Sequence, residues 1–198
     1  MLSANDPSTV DAILTALRAD EVVAIPTDTV YGLAANPQSR SAMKKLFELK
    51  ERPEGVPVAV LAASLEQARS LVVPSETFEQ LASLHWPGAL TLVALADPQT
   101  GLYIGETTND SGLPTVGVRV PDHDLVQQCA ESFGPIAVTS ANVHGEPTIV
   151  NPEHVRTTFG DRVAVVVNGG LLDGLASTVV DVSQHEMIVL RAGVVQVD

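Results

Sequence analysis

The stretch Glu21–Ser39, EVVAIPTDTVYGLAANPQS, sets the pattern for the chain. Its first part, EVVAIP, is apolar and rich in β-branched residues, and it reads as a buried strand that stops at Pro26. The residues after the proline are small and polar: Thr27, Asp28, Thr29, Tyr31 and Gly32, then AANPQS. A bare connection needs only a turn signal. Three hydroxyls, a carboxylate and a glycine at the end of a strand describe a loop built to close around something small and polar.

Working outward, the flanks alternate. Upstream, Val10, Ile13, Leu14 and Leu17 recur at i, i+3, i+4 and i+7, the mark of an amphipathic helix. Asp6 or Ser8 serves as its cap, with Pro7 in the first turn. Downstream, Ser39 opens a second helix with Met43, Leu46 and Phe47 on its apolar side, ending before Pro53. Further on, VPVAVLA, ALTLVALA, TVGVRV, IAVTS, RVAVVV, STVVDV and MIVLR read as strands. SLEQARSLV, SETFEQLASLHW, DHDLVQQCAESF and PEHVRTTF read as helices. Gly134 suits a left-handed helix end, and DPQTGLYIGETTNDSGLPT is a long polar connection. Strands and helices interleave early and strands crowd together late, with no internal repeat or linker. This order predicts an α/β fold, a three-layer domain with a mixed β-sheet, in a single domain over residues 1–198.

Composition narrows the function classes. Hydrophobic residues make up 45% and aromatics 4%, so the core is built mainly of Val, Leu, Ile and Ala. No apolar run approaches the roughly 18 residues of a membrane span, and MLSANDPST has neither the basic start nor the apolar stretch of a secretory signal. A lone Cys129 suits a reducing compartment. The expectation is a cytoplasmic protein with no membrane association. Eleven basic against 24 acidic residues leave a net charge of −13, which argues for weak or no direct nucleic-acid binding. Five of the basic residues, Arg40, Lys44, Lys45, Lys50 and Arg52, nonetheless fall in one short stretch. They form either a site for a compact anion such as a triphosphate or a solvated helix face.

Neither G-x-G-x-x-G after the first strand nor G-x-x-x-x-G-K-[ST] is present, so a nucleotide would be held by other means. Lys50 and Arg52 stand two apart just before Pro53. An extended backbone there would turn both cations to one side, suited to phosphates, while the alternative is a helix end with cations favouring the dipole. Thr139, Ser140 and Asn142 close a strand of small residues; Ser140 and Asn142 offer oxygens and an amide to phosphate or ribose, or simply form an Asx or Ser turn. Arg119, inside a β-rich run, either pairs with Asp122 or Asp124 or lines a cleft. Ser177, Thr178 and Arg191 share a similar strand-edge setting. The five histidines lack metal-binding spacing, so a structural zinc site is not expected and any metal would be Mg2+ arriving with phosphates.

In order along the chain come PTDTVYGL, K-x-R-P, WPGALTLV, VGVRVPDH, TSAN, STVVDV and VLRAG. Together, over about Ala12 to Val195, they resemble the YrdC/Sua5 family of threonylcarbamoyl-AMP synthases, in its short form. The resemblance implies a twisted α/β domain with a concave, positively lined surface. It implies a nucleotidyltransferase that joins L-threonine, bicarbonate and Mg2+-ATP into L-threonylcarbamoyladenylate, releasing pyrophosphate. Partner proteins would then transfer the threonylcarbamoyl group to adenosine 37 of tRNA. By matching position, Lys50, Arg52, Ser140 and Asn142 are the catalytic K-x-R and S-x-N pairs. Thr115, Thr148 and Arg191 match nucleotide-contacting positions; Arg119, Ser177 and one of Thr27 or Thr29 match threonine-contacting ones. Val56 and Leu61 depart from the Asn and His of many relatives, on the threonine side. Three alternatives stay open: a carbamoyl-adenylating relative, a non-catalytic RNA-binding paralogue, and a regulatory paralogue that binds nucleotide without turnover.

Overall fold

The computed structural model describes every residue except Arg52, Glu54, Gly55, Glu106, Asp173 and Asp198. The first half of the chain contains β1 (Leu2–Ser3), α1 (Ser8–Arg18), β2 (Val23–Ile25), β3 (Gly32–Ala35), α2 (Arg40–Leu49), β4 (Ala59–Leu61), α3 (Leu65–Arg69), β5 (Val72–Val73), α4 (Glu76–His85) and β6 (Leu90–Ala96). The second half contains β7 (Thr115–Arg119), α5 (Asp124–Phe133), β8 (Ile136–Ser140), α6 (Pro152–Phe159), β9 (Val165–Asn168), β10 (Thr178–Asp181) and β11 (Ile188–Arg191).

The strands form one mixed sheet in the order β1-β9-β2-β3-β8-β4-β7-β6-β10-β11, with β5 pairing the far end of β6. The expected α/β fold with a mixed sheet is borne out: β4 runs parallel to β7 and β6 to β10, whereas β3–β8, β8–β4 and β7–β6 are antiparallel. Three short strands go beyond the sequence expectation. Gly32–Ala35 reads from sequence as part of a polar loop, because Gly and Ala have little strand propensity. The structure buries all four residues and pairs them with β2 and β8. β1 and β5, two residues each, are too short to leave a periodic signal.

Side-chain alternation explains the layers. Ala24, Leu33, Ala35, Val60, Leu90, Leu92, Val116, Val118, Ala137 and Val180 point to one face, where they meet Met43, Leu46 and Phe47 of α2, Phe78 and Ala82 of α4, and Val155 and Phe159 of α6. Val23, Ile25, Ala34, Ile136 and Val138 point to the other, against Ile13 and Leu17 of α1 and Val126, Cys129 and Ala130 of α5. Helices therefore lie on both sides, giving three layers. The second face is only partly roofed: α1 and α5 cover its β9–β2–β3–β8 portion, and the alternate residues of β6, β7 and β10 face a cleft instead.

The helix ends follow their sequence signals. Ser39, Ser64 and Ser75 accept the backbone N–H of Ala42, Gln67 and Phe78 at 3.1–3.2 Å, worth about 1 kcal/mol each. At α1 the capping contact comes from Asp6, which accepts from Ser8 N at 2.9 Å, while Pro7 occupies the cap position itself. Gly134 ends α5 with φ 104° and ψ −177°, a positive-φ geometry open to glycine but not the expected left-handed helical one. Among the described residues no helix is long and apolar enough to cross a membrane.

Cys129 is fully buried between α5 and the sheet, and burial pushes its thiol up to about 12. The thiolate is the reactive form. Native protein at pH 8 is therefore expected to resist an alkylating reagent that labels the same cysteine after unfolding in urea. Mass spectrometry checks this, and equal labelling in both states would contradict the burial.

Candidate active site

The unroofed part of the sheet forms the floor of a cleft of about 350 Å³. Its lining residues are cross-strand neighbours: Thr91 sits opposite Val179, Val93 opposite Gly117, Leu61 opposite Arg119, and Gly32 opposite Ser140. Two arginines and many hydroxyls line it, with no carboxylate among the described lining residues. In a chain of net charge −13, this is a local environment for an anion.

The loop after β2 is held by its own hydroxyls. Thr27 Oγ1 donates to Val30 O at 2.7 Å and accepts from the N–H groups of Thr29 and Val30 at 3.2 Å. Its hydroxyl also lies 3.0 Å from that of Thr29. Side chain thus substitutes for water in closing the turn, and both threonines are buried in the cleft wall.

Arg119, the last residue of β7, is 5% exposed. Its Nε donates to Gly88 O at 2.9 Å, Nη1 to Thr29 Oγ1 at 3.1 Å, and Nη2 to Asp28 Oδ1 at 2.5 Å. Both readings of this arginine from sequence are thereby combined, with one correction: it lines the cleft, and it pairs with Asp28, not Asp122 or Asp124. Burial pushes the guanidinium below its usual value, and the Asp28 carboxylate opposes that shift. An arginine remains protonated throughout.

On the opposite wall, the hydroxyl of Ser177 lies 3.0 Å from Thr91 Oγ1 and accepts from Arg191 Nη2 at 3.0 Å, while Arg191 Nε donates to Ser177 O at 3.0 Å. Arg191, at the end of β11, is depressed by desolvation. The chain after β11 is tied back through Thr178, whose hydroxyl accepts from Gly193 N and Val195 N and donates to Val195 O. Gly193 passes so close that an added Cβ would strike Ala176 O and the Ser177 carbonyl. Glycine is required here by backbone approach.

At the end of β8, Ser140 Oγ donates to Asn142 Oδ1 at 2.6 Å, and Asn142 Nδ2 donates to the carbonyls of Val143 and Glu146 at 2.9 and 2.6 Å. Lys50 closes this turn from below. Its ammonium donates to Ser140 O at 2.5 Å, Asn142 O at 2.8 Å and Asn142 Oδ1 at 3.1 Å, and the side chain is fully buried. The extended backbone expected from sequence is not adopted at Lys50. Lys50 ends α2 in the helical region (φ −86°, ψ −6°), and Glu51 comes next at φ 53°. Arg52 lies outside the described residues.

Of the anticipated residues, Thr27, Thr29, Arg119, Ser140, Thr148, Ser177 and Arg191 line the cleft. Asn142 and Lys50 act from behind Ser140. Thr115 is also one step back: its hydroxyl donates to Thr107 Oγ1 at 2.8 Å, and Thr107 reaches the cleft. Sequence reasoning passes over Thr91, Thr107 and the partnership of Asp28. Thr91 carries a readable signal, a hydroxyl interrupting the apolar run LTLV on the face opposite its leucines. The rest of the basic stretch is a solvated face: Lys45 pairs with Glu21 at 2.6 Å, Lys44 lies 3.7 Å from Glu48, and Arg40 stacks over Tyr103. Among the described residues no group of three or more His, Cys, Asp or Glu side chains could hold a metal ion.

Known proteins share this fold. Residues 15–193 match the Sua5/YciO/YrdC family model, described as "Telomere recombination". The chain is 40% identical over 195 residues to a threonylcarbamoyl-AMP synthase of Bacillus subtilis, covering 97% of this chain and 55% of that protein. It is 36% identical over 185 residues to a putative threonylcarbamoyl-AMP synthase of Mycobacterium tuberculosis, covering 92% and 83%. The crystal structure of P. abyssi Sua5 complexed with L-threonine superposes with a TM-score of 0.84 at 36% identity, over 93% of this chain and 54% of that one. The chain thus spans about half the length of the B. subtilis and P. abyssi proteins. With the match running through nearly every strand that builds the cleft, this chain belongs to the Sua5/YciO/YrdC family.

Proposed function

We propose that this chain is a threonylcarbamoyl-AMP synthase, a nucleotidyltransferase that makes L-threonylcarbamoyladenylate and pyrophosphate from L-threonine, bicarbonate and ATP for the t6A37 modification of tRNA. The observation that carries the reading is the cleft itself, in which two arginines and a ring of hydroxyls at the family's motif positions face one space with no described carboxylate among them. The relatives' names, and the L-threonine in the P. abyssi complex, support the same reading.

The chemistry rests on those groups. The threonine amine combines with bicarbonate to give a carbamate and water, a step that needs the two held together more than it needs a catalyst group. A carbamate oxygen then bonds to the α-phosphorus as the bond to pyrophosphate breaks. In this reading Arg119, with Thr27, Thr29 and Ser177, holds the amino acid. Thr148, Arg191 and, through Thr107, Thr115 hold the nucleotide. The Ser140–Asn142 turn, braced by Lys50, and Arg52 meet the phosphates. The cleft's hydroxyls and guanidinium groups suit phosphate oxygens and leave Mg2+ to be carried by the nucleotide and water. When bound, Mg2+ would neutralise charge on the departing pyrophosphate. The acidic surface fits a product handed to separate threonylcarbamoyl-transfer partner proteins, with little direct tRNA binding.

Pyrophosphate release from Mg2+-ATP is the test. Release is expected only when L-threonine and bicarbonate are both present. ATP binding without any release under those conditions would overturn the proposal.

A further inference from the structure

Asp28 is the one carboxylate of the β2–β3 loop, and its two oxygens do different things. Oδ1 accepts from Arg119 Nη2 at 2.5 Å, and Oδ2 accepts from the backbone N–H of Asp122 at 3.1 Å. The side chains of the pair are 13% and 6% exposed. Asp28 therefore ties the β2–β3 loop both to the end of β7 and to the turn that leads into α5. The guanidinium is gripped on three sides, by Asp28, by Thr29 Oγ1 and by Gly88 O, in one fixed plane. Three of the five guanidinium N–H groups are thus used, and one is left on each terminal nitrogen to donate to a carboxylate.

We infer that Asp28 is a positioning residue that sets the orientation of Arg119 toward the carboxylate of the amino-acid substrate, and so governs affinity for that substrate while leaving nucleotide affinity alone. This rests on the functional reading above, and it adds a residue with a separable role. The chemistry makes the role specific to a carboxylate. Both partners of Asp28 are donors, and a carboxylate accepts at both oxygens whereas an amide accepts at one. Asparagine, nearly identical in shape, satisfies either Arg119 or Asp122 N and turns its NH2 on the other. Glutamate keeps two acceptors on a longer stem.

The experiment compares wild type, Asp28→Asn and Asp28→Glu for the KM of L-threonine and of ATP in pyrophosphate release, with L-threonine binding by calorimetry and urea unfolding measured alongside. Asp28→Asn is expected to raise the KM and Kd for threonine about tenfold or more, the scale of one hydrogen bond to a charged group, with the KM of ATP unchanged. Asp28→Glu is expected to recover most of the loss. A folded Asp28→Asn protein that keeps wild-type threonine affinity overturns the inference, as does an equal rise in both KM values. Threonine binding that the wild type itself lacks overturns the functional reading and this inference together; binding by the wild type that survives in Asp28→Asn overturns the inference alone.

Discussion

Lys50→Met is expected to lower stability by about 3 kcal/mol, the cost of leaving buried acceptors without a donor, and to cut kcat/KM for pyrophosphate release roughly 100-fold, the effect of a reacting group displaced by about an ångström. Methionine keeps the length and volume of the buried stem, so little of the loss comes from a cavity. What disappears is the ammonium that gathers Ser140 O, Asn142 O and Asn142 Oδ1 at 2.5–3.1 Å. Those oxygens belong to the turn that presents Ser140 to the cleft, and they would repel one another without the cation between them. Urea unfolding and steady-state kinetics measure the two effects separately. A variant of wild-type stability whose only defect is a raised KM for ATP would show that the lysine serves the nucleotide directly and that its place in the turn is dispensable.

The layers of this fold are legible wherever a strand alternates against a helix-covered face. LTL of β6 and TVGVR show why: their large apolar residues recur every second position, and the polar or small ones between them, Thr91, Gly117 and Arg119, line the cleft floor beside Val93. Strand β3 is not legible, because Gly32–Ala35 is buried on both faces and, Leu33 apart, small, so no alternation or β-branched signal survives. Its burial is imposed by β2 and β8 on either side, which is tertiary context and not local propensity.

The site divides along the same line. Motif order points to Thr27, Thr29, Arg119, Ser140, Thr148, Ser177 and Arg191, which the fold brings to one cleft. Local geometry is harder to read. Nearness to Pro53 does not make Lys50 extended, because α2 continues to it and the break in direction falls at Glu51, with φ 53°. Partnerships across the sheet are out of reach. Asp28 and Arg119 are 91 positions apart, and nothing local distinguishes Asp28 from the nearer Asp122 and Asp124 as the partner of that arginine.

That pairing makes Arg119 the position of largest consequence for the amino-acid side of the cleft. Arg119→Ala removes the cation beside a carboxylate that is 13% exposed, and breaking a buried pair in this way costs about 3–5 kcal/mol. The double variant Asp28→Ala/Arg119→Ala is expected to be more stable than Arg119→Ala alone, because no charge is then stranded. Urea unfolding of wild type, both single variants and the double variant closes the cycle, and simple additivity would mean that the pair contributes no coupling. Arg119→Lys separates charge from shape. Its ammonium keeps the sign, but a single point of donation cannot serve Asp28, Thr29 and Gly88 in one plane and still offer further N–H groups to a substrate carboxylate. The KM for L-threonine is therefore expected to rise at least about 100-fold, as for the loss of two charged hydrogen bonds, while stability falls less than in Arg119→Ala. If lysine supports wild-type threonine affinity, the planar fork is unnecessary, and the amino-acid carboxylate is held by charge alone or by another residue of the cleft.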